Sequence, residues 1–238
     1  MRRRSCRRTM GSMSTDTDPD ETSRLVALGR DREAARRRTA PPEPVPHREG
    51  TMDTNEQLDV ILPALVEIAG NITPDQLGNP SPCRGFDVRG VLNHMIGGAG
   101  FFAAQLRGEP APEPPPPGTD LAGDDPVATF TAAMEELHAA TKTPGAYERT
   151  IVSPFGEVPG AFIAQFLALD GMVHAYDLAW ATGQTYAPSE ELAAEVLAIA
   201  TKAIAPQMRD GDTFAAEVTP PADASNLVRL VAFTGRAV

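Results

Sequence analysis

Between Met52 and Val238, apolar residues recur mostly at helical spacing, in stretches bounded by residues that start or stop helices. Thr54-Asn-Glu-Gln57 reads as a capping box ahead of Leu58, Leu62, Leu65, Ile68 and Ala69. Pro63 predicts a kink in this helix, and Gly70-Asn71 ends it. A loop stiffened by Pro80 and Pro82 comes next, and Asp87 then caps a second helix that runs to about Arg107 and stops at Gly108. From Glu109 to Gly118 the chain is mostly proline, a polyproline-like connection. Asp125-Pro126 opens a third helix through Phe130, Met134 and Leu137 to about Thr141. Residues Thr150 to Val158 read as a short hairpin-like extended segment, and Pro159 starts a long central helix that Gly183 terminates. A further amphipathic helix runs from Ser189 to about Met208, bending near Pro206. Phe214 to Val218 reads as a short strand, and a last helix from about Ser225 to Phe233 ends at Gly235. No internal repeat is visible, and the pattern predicts an all-α fold, a helical bundle with its site among facing helices.

The central helix breaks its own pattern. Asp170, His174 and Asp177 stand at i, i+4 and i+7 on one stripe that otherwise reads Ile163, Phe166 and Ala181. Buried carboxylates and imidazoles need partners, so the three either hydrogen-bond to one another and to neighbouring helices or serve a metal. The second helix carries His94, with Gly90, Val91, Gly97, Gly98 and Phe101 nearest on its face. Glycine inside a helix costs about 1 kcal/mol relative to alanine. Three of them around one histidine predict either close helix approach or room for a ligand. His94 by itself fits a satisfied core histidine as well as a metal ligand. His138 lies near the end of the third helix, where the macrodipole favours a cation, and reads as a surface residue.

Composition separates the ends of the chain. The 238 residues carry a net charge of −11. Residues 1–51 hold 12 Arg against 8 acidic residues, a net of +4, which leaves 9 basic and 24 acidic residues and a net of −15 for the rest. With Arg clusters, prolines and little apolar periodicity, residues 1–51 read as a disordered tail and residues 52–238 as the folded domain. The tail could be a nucleic-acid arm, but its mixed charge dilutes the positive field such arms use. Alternatively, translation starts at Met52 or an earlier internal Met. The acidity of the domain argues against nucleic-acid binding. Two cysteines, Cys6 and Cys83, make neither a disulfide framework nor a zinc knuckle. No apolar run approaches a membrane span, and the expected location is the cytoplasm.

Pro80-Ser-Pro-Cys-Arg-Gly-Phe-Asp-Val-Arg-Gly-Val-Leu-Asn-His94 resembles the first signature of the DinB-like superfamily, in the actinobacterial branch related to the metal-binding domain of mycothiol-dependent maleylpyruvate isomerase. Asp170-Gly-Met-Val-His-Ala-Tyr-Asp-Leu-Ala-Trp-Ala-Thr-Gly183 resembles the second signature, and Leu227 to Arg236 resembles the C-terminal ending. The resemblance spans about Met52 to Val238 and implies a DinB-like four-helix bundle with additional short C-terminal elements. It also implies a divalent metal, zinc or else nickel, held by one histidine of the second helix and an acid-x-x-x-His pair. Carried onto this chain, the ligands are His94, Asp170 and His174. The isomerase has glutamate where Asp170 stands, and Asp177 is either an alternative third ligand or the partner that fixes His174. Three protein ligands leave a position open for a reactant.

The function implied is a thiol-dependent S-transferase or isomerase in which the metal activates a thiolate, with mycothiol as the thiol and an electrophilic small molecule as substrate. Gly97, Gly98 and Phe101 mark the expected open face, and a homodimer is left open. Two other readings stand beside it: a metal- or small-molecule-binding bundle without catalysis, and a structural bundle whose polar stripe satisfies itself. Cys83, four residues before a helix start, is either an activated thiol or a semi-buried loop residue. Phe101, Tyr176 and Trp180 are either pocket walls or core.

Overall fold

Six α-helices, a two-stranded hairpin and two 3-10 turns form among the described residues of the computed structural model, which are 44–46, 51–116, 118–153, 156–209 and 213–238. The chain divides into units 1–40 and 41–238, of which the first lies outside the described residues. Cys6, the Arg clusters and most of the expected disordered tail fall there. The second unit carries all of these elements.

Most helices begin at a side-chain cap. Helix α1 (Thr54–Gly70) is capped by Asp53, whose Oδ1 accepts from Glu56 N while Glu56 Oε2 accepts from Asp53 N. The capping box therefore starts one residue before the expected Thr54, because Asp53-x-x-Glu56 satisfies the same rule with a stronger acceptor. Pro63 sits on the exposed side of α1 without ending it. Helix α2 (Val88–Leu106) is capped by Asp87, and α3 (Pro126–Thr141) by Asp125. Strands β1 (Thr150–Ser153) and β2 (Gly156–Pro159) pair antiparallel, with buried Ile151 opposite buried Val158.

Helix α4 (Gly160–Thr182) begins at Pro159, which has no side-chain cap to offer. The hairpin and the turn before it supply the acceptors instead: Gly160 N donates to Arg149 O and Ala161 N to Tyr147 O. Gly183, at φ 69°, ends the helix in the left-handed conformation expected of it. Helices α5 (Glu190–Ala203) and α6 (Asn226–Phe233) are capped by Ser189 and Ser225.

Helices α1 and α2 each pack against both α3 and α4, which makes the four-helix core, and α5 and α6 add a layer against α4. This is the expected all-α bundle with short C-terminal elements. Sixteen of the 23 residues of α4 are buried, so it is apolar all round and central. No described helix is long and apolar enough to cross a membrane.

Three local expectations change. Phe214 to Val218 is not a strand, because no neighbouring strand among the described residues pairs with it; Val218 N instead donates to Ala232 O at the end of α6. The helix after Ser189 stops at Ala203, and Pro206, which lacks the N–H to continue it, opens a separate 3-10 turn through Met208. His138 is half-buried and pairs with Asp59 of α1, which Lys142 also contacts at 2.7 Å, so it ties α3 to α1.

Gly160 allows the hairpin to meet α4. A Cβ there would lie 2.0 Å from Ala146 O, a backbone atom. Gly160→Ala is expected to destabilise the protein by at least about 1–3 kcal/mol, the usual range for overpacking, read as a lower urea midpoint at unchanged slope. A second prediction concerns alkaline pH. Tyr147 donates to Asn55 Oδ1 at 2.6 Å, and burial, aided by the Asp53 charge, pushes its phenol up to about 12. A raised folded-state pKa means that the contribution of the neutral phenol is complete below about pH 10, the ordinary tyrosine value, and is lost as pH rises toward 12. Stability should fall across that window, and less steeply in Tyr147→Phe.

Candidate metal centre

Helix α4 sets Asp170 and His174 one turn apart, and α2 crosses close enough to bring His94 against them. His174 Nε2 lies 3.5 Å from Asp170 Oδ1, and His94 Nε2 lies 3.7 Å from the same oxygen. The two imidazole rings meet edge-on with centroids 5.0 Å apart. All three donor atoms fall within 4.8 Å of one another. Exposure is graded across the cluster: the His174 side chain is 6 % exposed, Asp170 25 % and His94 42 %.

The donor set fits a divalent ion. Two ligands on a tetrahedral ion with bonds of about 2.0–2.1 Å sit about 3.4 Å apart, close to the separations found here. Those separations lie at or beyond the edge of hydrogen-bond reach, so any bonds among the three groups are long. One carboxylate and two imidazoles, the first partly neutralising the ion and the others neutral donors, suit zinc or nickel. The sequence-derived trio is therefore brought together as a cluster.

Asp177 takes a different place. It has no solvent exposure, and its Oδ2 lies 3.0 Å from His174 Nδ1. An ionised carboxylate only accepts, so Nδ1 carries a proton, and Nε2 is the nitrogen turned toward Asp170. Arg236, just beyond α6, grips the same carboxylate with two bonds, Nη2 to Oδ2 at 2.9 Å and Nε to Oδ1 at 3.3 Å. Of the two roles open to Asp177 from the sequence, the geometry matches the partner that orients His174.

Burial alone would raise the Asp177 pKa, but the His174 hydrogen bond and the Arg236 charge outweigh it and hold the group below the usual carboxylate range. Burial disfavours a charged His174, yet the Asp170 charge and the hydrogen bonds of both aspartates outweigh it and raise its proton affinity. Burial would likewise raise Asp170, but the His174 and His94 rings outweigh it and lower the group in return.

Cys83, His174 and Asp177 also bring donor atoms within 4.8 Å of one another. That second trio is a poor cation site, because the His174 nitrogen on that side is engaged by Asp177 and a guanidinium stands against the carboxylate. Cys83 is half-buried against the core, and burial pushes its thiol up to about 11. It is the semi-buried loop residue, not an activated thiol. Trp180 is 57 % exposed, Tyr176 packs partly against the core, and neither lines the cleft beside His94.

The glycines beside His94 make room for segments other than helices. A Cβ at Gly90 would come within 2.8 Å of the Phe86 ring, and one at Gly97 within 3.2 Å of Leu121 in the α2–α3 connection. Of the expected open face, Gly97 is thus covered by Leu121, whereas Gly98 has nothing packed within 4 Å of where its Cβ would stand. A cleft of about 490 Å³ lies instead on the Phe86 and Asn93 side of His94.

A two-histidine, one-aspartate cluster on facing helices of a bundle is the kind of arrangement from which metal sites in helical bundles are built. Residues 58–179, which span α1 to α4 and include His94, Asp170, His174 and Asp177, match the family described as mycothiol maleylpyruvate isomerase N-terminal domain. The chain belongs to that family. It is also similar to two curated Mycobacterium tuberculosis proteins, the uncharacterized proteins MT0763 of strain CDC 1551 and Rv0738 of strain H37Rv. Each is 36% identical over 179 residues, covering 74% of this chain and 93% of the relative. No solved structure matches this chain.

Arg236 lies outside the matched residues; the resemblance of Leu227 to Arg236 to the C-terminal ending marked its stretch but gave it no role at the site. The one signal was the need of a buried Asp177 for a cation. Arg236→Leu, which strands that carboxylate, is expected to cost about 3–5 kcal/mol. The double variant with Asp177→Asn should recover part of the loss in a denaturant titration, whereas strictly additive losses would refute the coupling.

Proposed function

We propose that the protein holds one divalent metal ion, zinc or nickel, through His94, Asp170 and His174, and uses it to activate a low-molecular-weight thiol, mycothiol, against an electrophilic small molecule. The carrying observation is the orientation of His174: Asp177 occupies Nδ1, so Nε2 faces Asp170 Oδ1 at 3.5 Å, with His94 closing the trio. Membership of a mycothiol-linked family supports the choice of thiol. A metal bound there supplies the positive charge that keeps a sulfur in its thiolate form near neutral pH.

The residues divide the remaining work. Asp177 and Arg236 hold the His174 ring so that it need not reorganise when a ligand arrives. Asp170 contributes the single negative charge of the donor set, which leaves the site a net cation able to attract an anionic sulfur. His94, the most exposed donor, stands where reactants approach from the cleft. In a substitution, the sulfur forms a bond to the electrophilic carbon, the thiol proton leaves to solvent, and the broken bond's electron pair departs with the leaving group. In an isomerisation, sulfur adds to one end of a double bond and a proton to the other; rotation follows, and both are lost again. The cytoplasm, where small thiols stay reduced, is the compartment this chemistry needs.

Protein purified without added metal or a histidine tag should contain about one equivalent of zinc or nickel, as the three-donor site predicts. His94→Ala and His174→Ala should each lose it. Asp177→Asn, which leaves the buried Arg236 without its counter-charge, should lower stability and weaken metal binding of the folded protein by about 10–100-fold. The metal-loaded protein should then turn over electrophiles only when a thiol is present. Metal without thiol-dependent turnover would reassign the protein as a non-catalytic binder, and no metal even after loading would sink the reading.

A further inference from the structure

The cleft beside His94 has a built wall. Asn93, next to His94 in α2, spends its amide on the α2–α3 connection: Oδ1 accepts from Leu121 N at 2.6 Å and Ala122 N at 2.8 Å, and Nδ2 donates to Asp120 Oδ1 at 3.1 Å. Arg89, one turn earlier, grips Asp120 through Nε at 3.1 Å and Gly123 O through Nη2 at 2.6 Å. These bonds pin the proline-rich connection against α2, and Leu121 seats over Gly97.

The lining also includes an aromatic ring. Phe86 is 38 % exposed, unusual for a phenylalanine in a pinned loop, and its ring centroid lies 5.7 Å from that of His94. The ring is held in place: Ser81 Oγ donates to Phe86 O at 2.8 Å, Phe86 N donates to Cys83 O at 3.1 Å, and Gly90 leaves the space that the ring fills. Pro115 and Pro116 line the cleft on the connection side. The cleft's volume of about 490 Å³ lies in the range of small-molecule sites.

The charges of the cleft cancel. Arg89 and Asp120 are paired with each other, so neither stands ready for a charged ligand. Arg89, Asn93, Thr119 and Asp120 also line the cleft, but their polar groups are engaged with one another or with the connection. That leaves the Phe86 ring and the proline surface to meet a ligand, at a site that reaches the donor cluster through His94.

We infer that this cleft selects electrophiles whose non-reacting part is a flat, uncharged aromatic ring, seated between Phe86 and the proline wall with its reactive carbon toward the donor cluster. Phe86 is the specificity-determining residue, and Asn93 is the positioning residue that keeps the wall in place. The inference rests on the proposed thiol chemistry for its direction, but the selection of a ring is a property of the cleft alone.

The test uses two unreactive thioethers that differ only in that ring, S-benzylcysteine and S-methylcysteine, titrated into the full-length metal-loaded protein by calorimetry. The benzyl compound should bind at least about tenfold more tightly, the scale of one added aromatic contact. Phe86→Leu, which keeps apolar bulk but removes the ring, should reduce that preference to less than about threefold with metal content unchanged, and Phe86→Tyr should retain it. Equal binding of the two compounds by the wild type, or a preference that survives Phe86→Leu, overturns the inference. Absence of thiol-dependent turnover with an intact benzyl preference would instead count against the proposed chemistry alone.

Discussion

A fully buried carboxylate at the centre of a bundle must be paired, and Asp177 is paired twice, to the imidazole of His174 and to the guanidinium of Arg236. Everything around the candidate centre depends on that pairing. Without the guanidinium, a charge would lie uncompensated among apolar side chains, at a cost of several kcal/mol. Without the carboxylate, His174 would have no fixed tautomer, and its Nε2 would no longer be held toward Asp170. The C-terminal elements are therefore part of the site's electrostatics, although the family match ends at residue 179. The last helix leads into Arg236, and the ordering of that short segment is offset by its bidentate ion pair with Asp177.

The second constraint is steric. Two glycines of helix α2 stand where a ring or a loop approaches: Gly90 beside Phe86 and Gly97 beneath Leu121. Each gives up about 1 kcal/mol of helix propensity. In return, two segments without regular structure are fixed on either side of His94. A long proline-rich connection is ordinarily a loose part of a fold. Here the side chains of Asn93 and Arg89 tie it down by hydrogen bonds to Asp120, Leu121, Ala122 and Gly123, so the helix that presents a donor also positions the walls beside it.

Much of this was legible in the chain. The stripe Asp170, His174 and Asp177 follows from helical geometry alone, and caps at Asp87, Asp125, Ser189 and Ser225 are where side-chain chemistry puts them. The resemblance supplied His94 as the third member of the trio. Contacts between residues far apart in sequence were not legible. No local pattern joins Arg236 to Asp177, 59 positions away, or Asn93 to Leu121, 28 away. The face at Gly97 looked open because a helical wheel shows the helix without the loop that covers it. The supposed strand at Phe214 to Val218 fails for a related reason: β-branched and aromatic residues favour extended backbone, but a strand exists only if a partner does. The shifted capping box is the milder case, in which two adjacent residues satisfied the same rule.

The aspartate at position 170, where the resembling isomerase has glutamate, looks at first like a weakness of the site. A carboxylate shorter by one methylene reaches less far from its helix. In this bundle it does not need to reach further, because Asp170 Oδ1 already lies 3.5 Å from one imidazole nitrogen and 3.7 Å from the other, near the edge length of a tetrahedral coordination shell. A glutamate in the same backbone would carry its oxygens beyond that point and would have to fold back. It would also fix one more rotatable bond on binding, and each such bond has an entropic cost. The close approach of α2 to α4, visible in the 5.0 Å separation of the two imidazole rings, is what makes the shorter side chain sufficient. Donor identity and helix spacing are thus one geometric choice, and the aspartate fits the spacing this chain adopts.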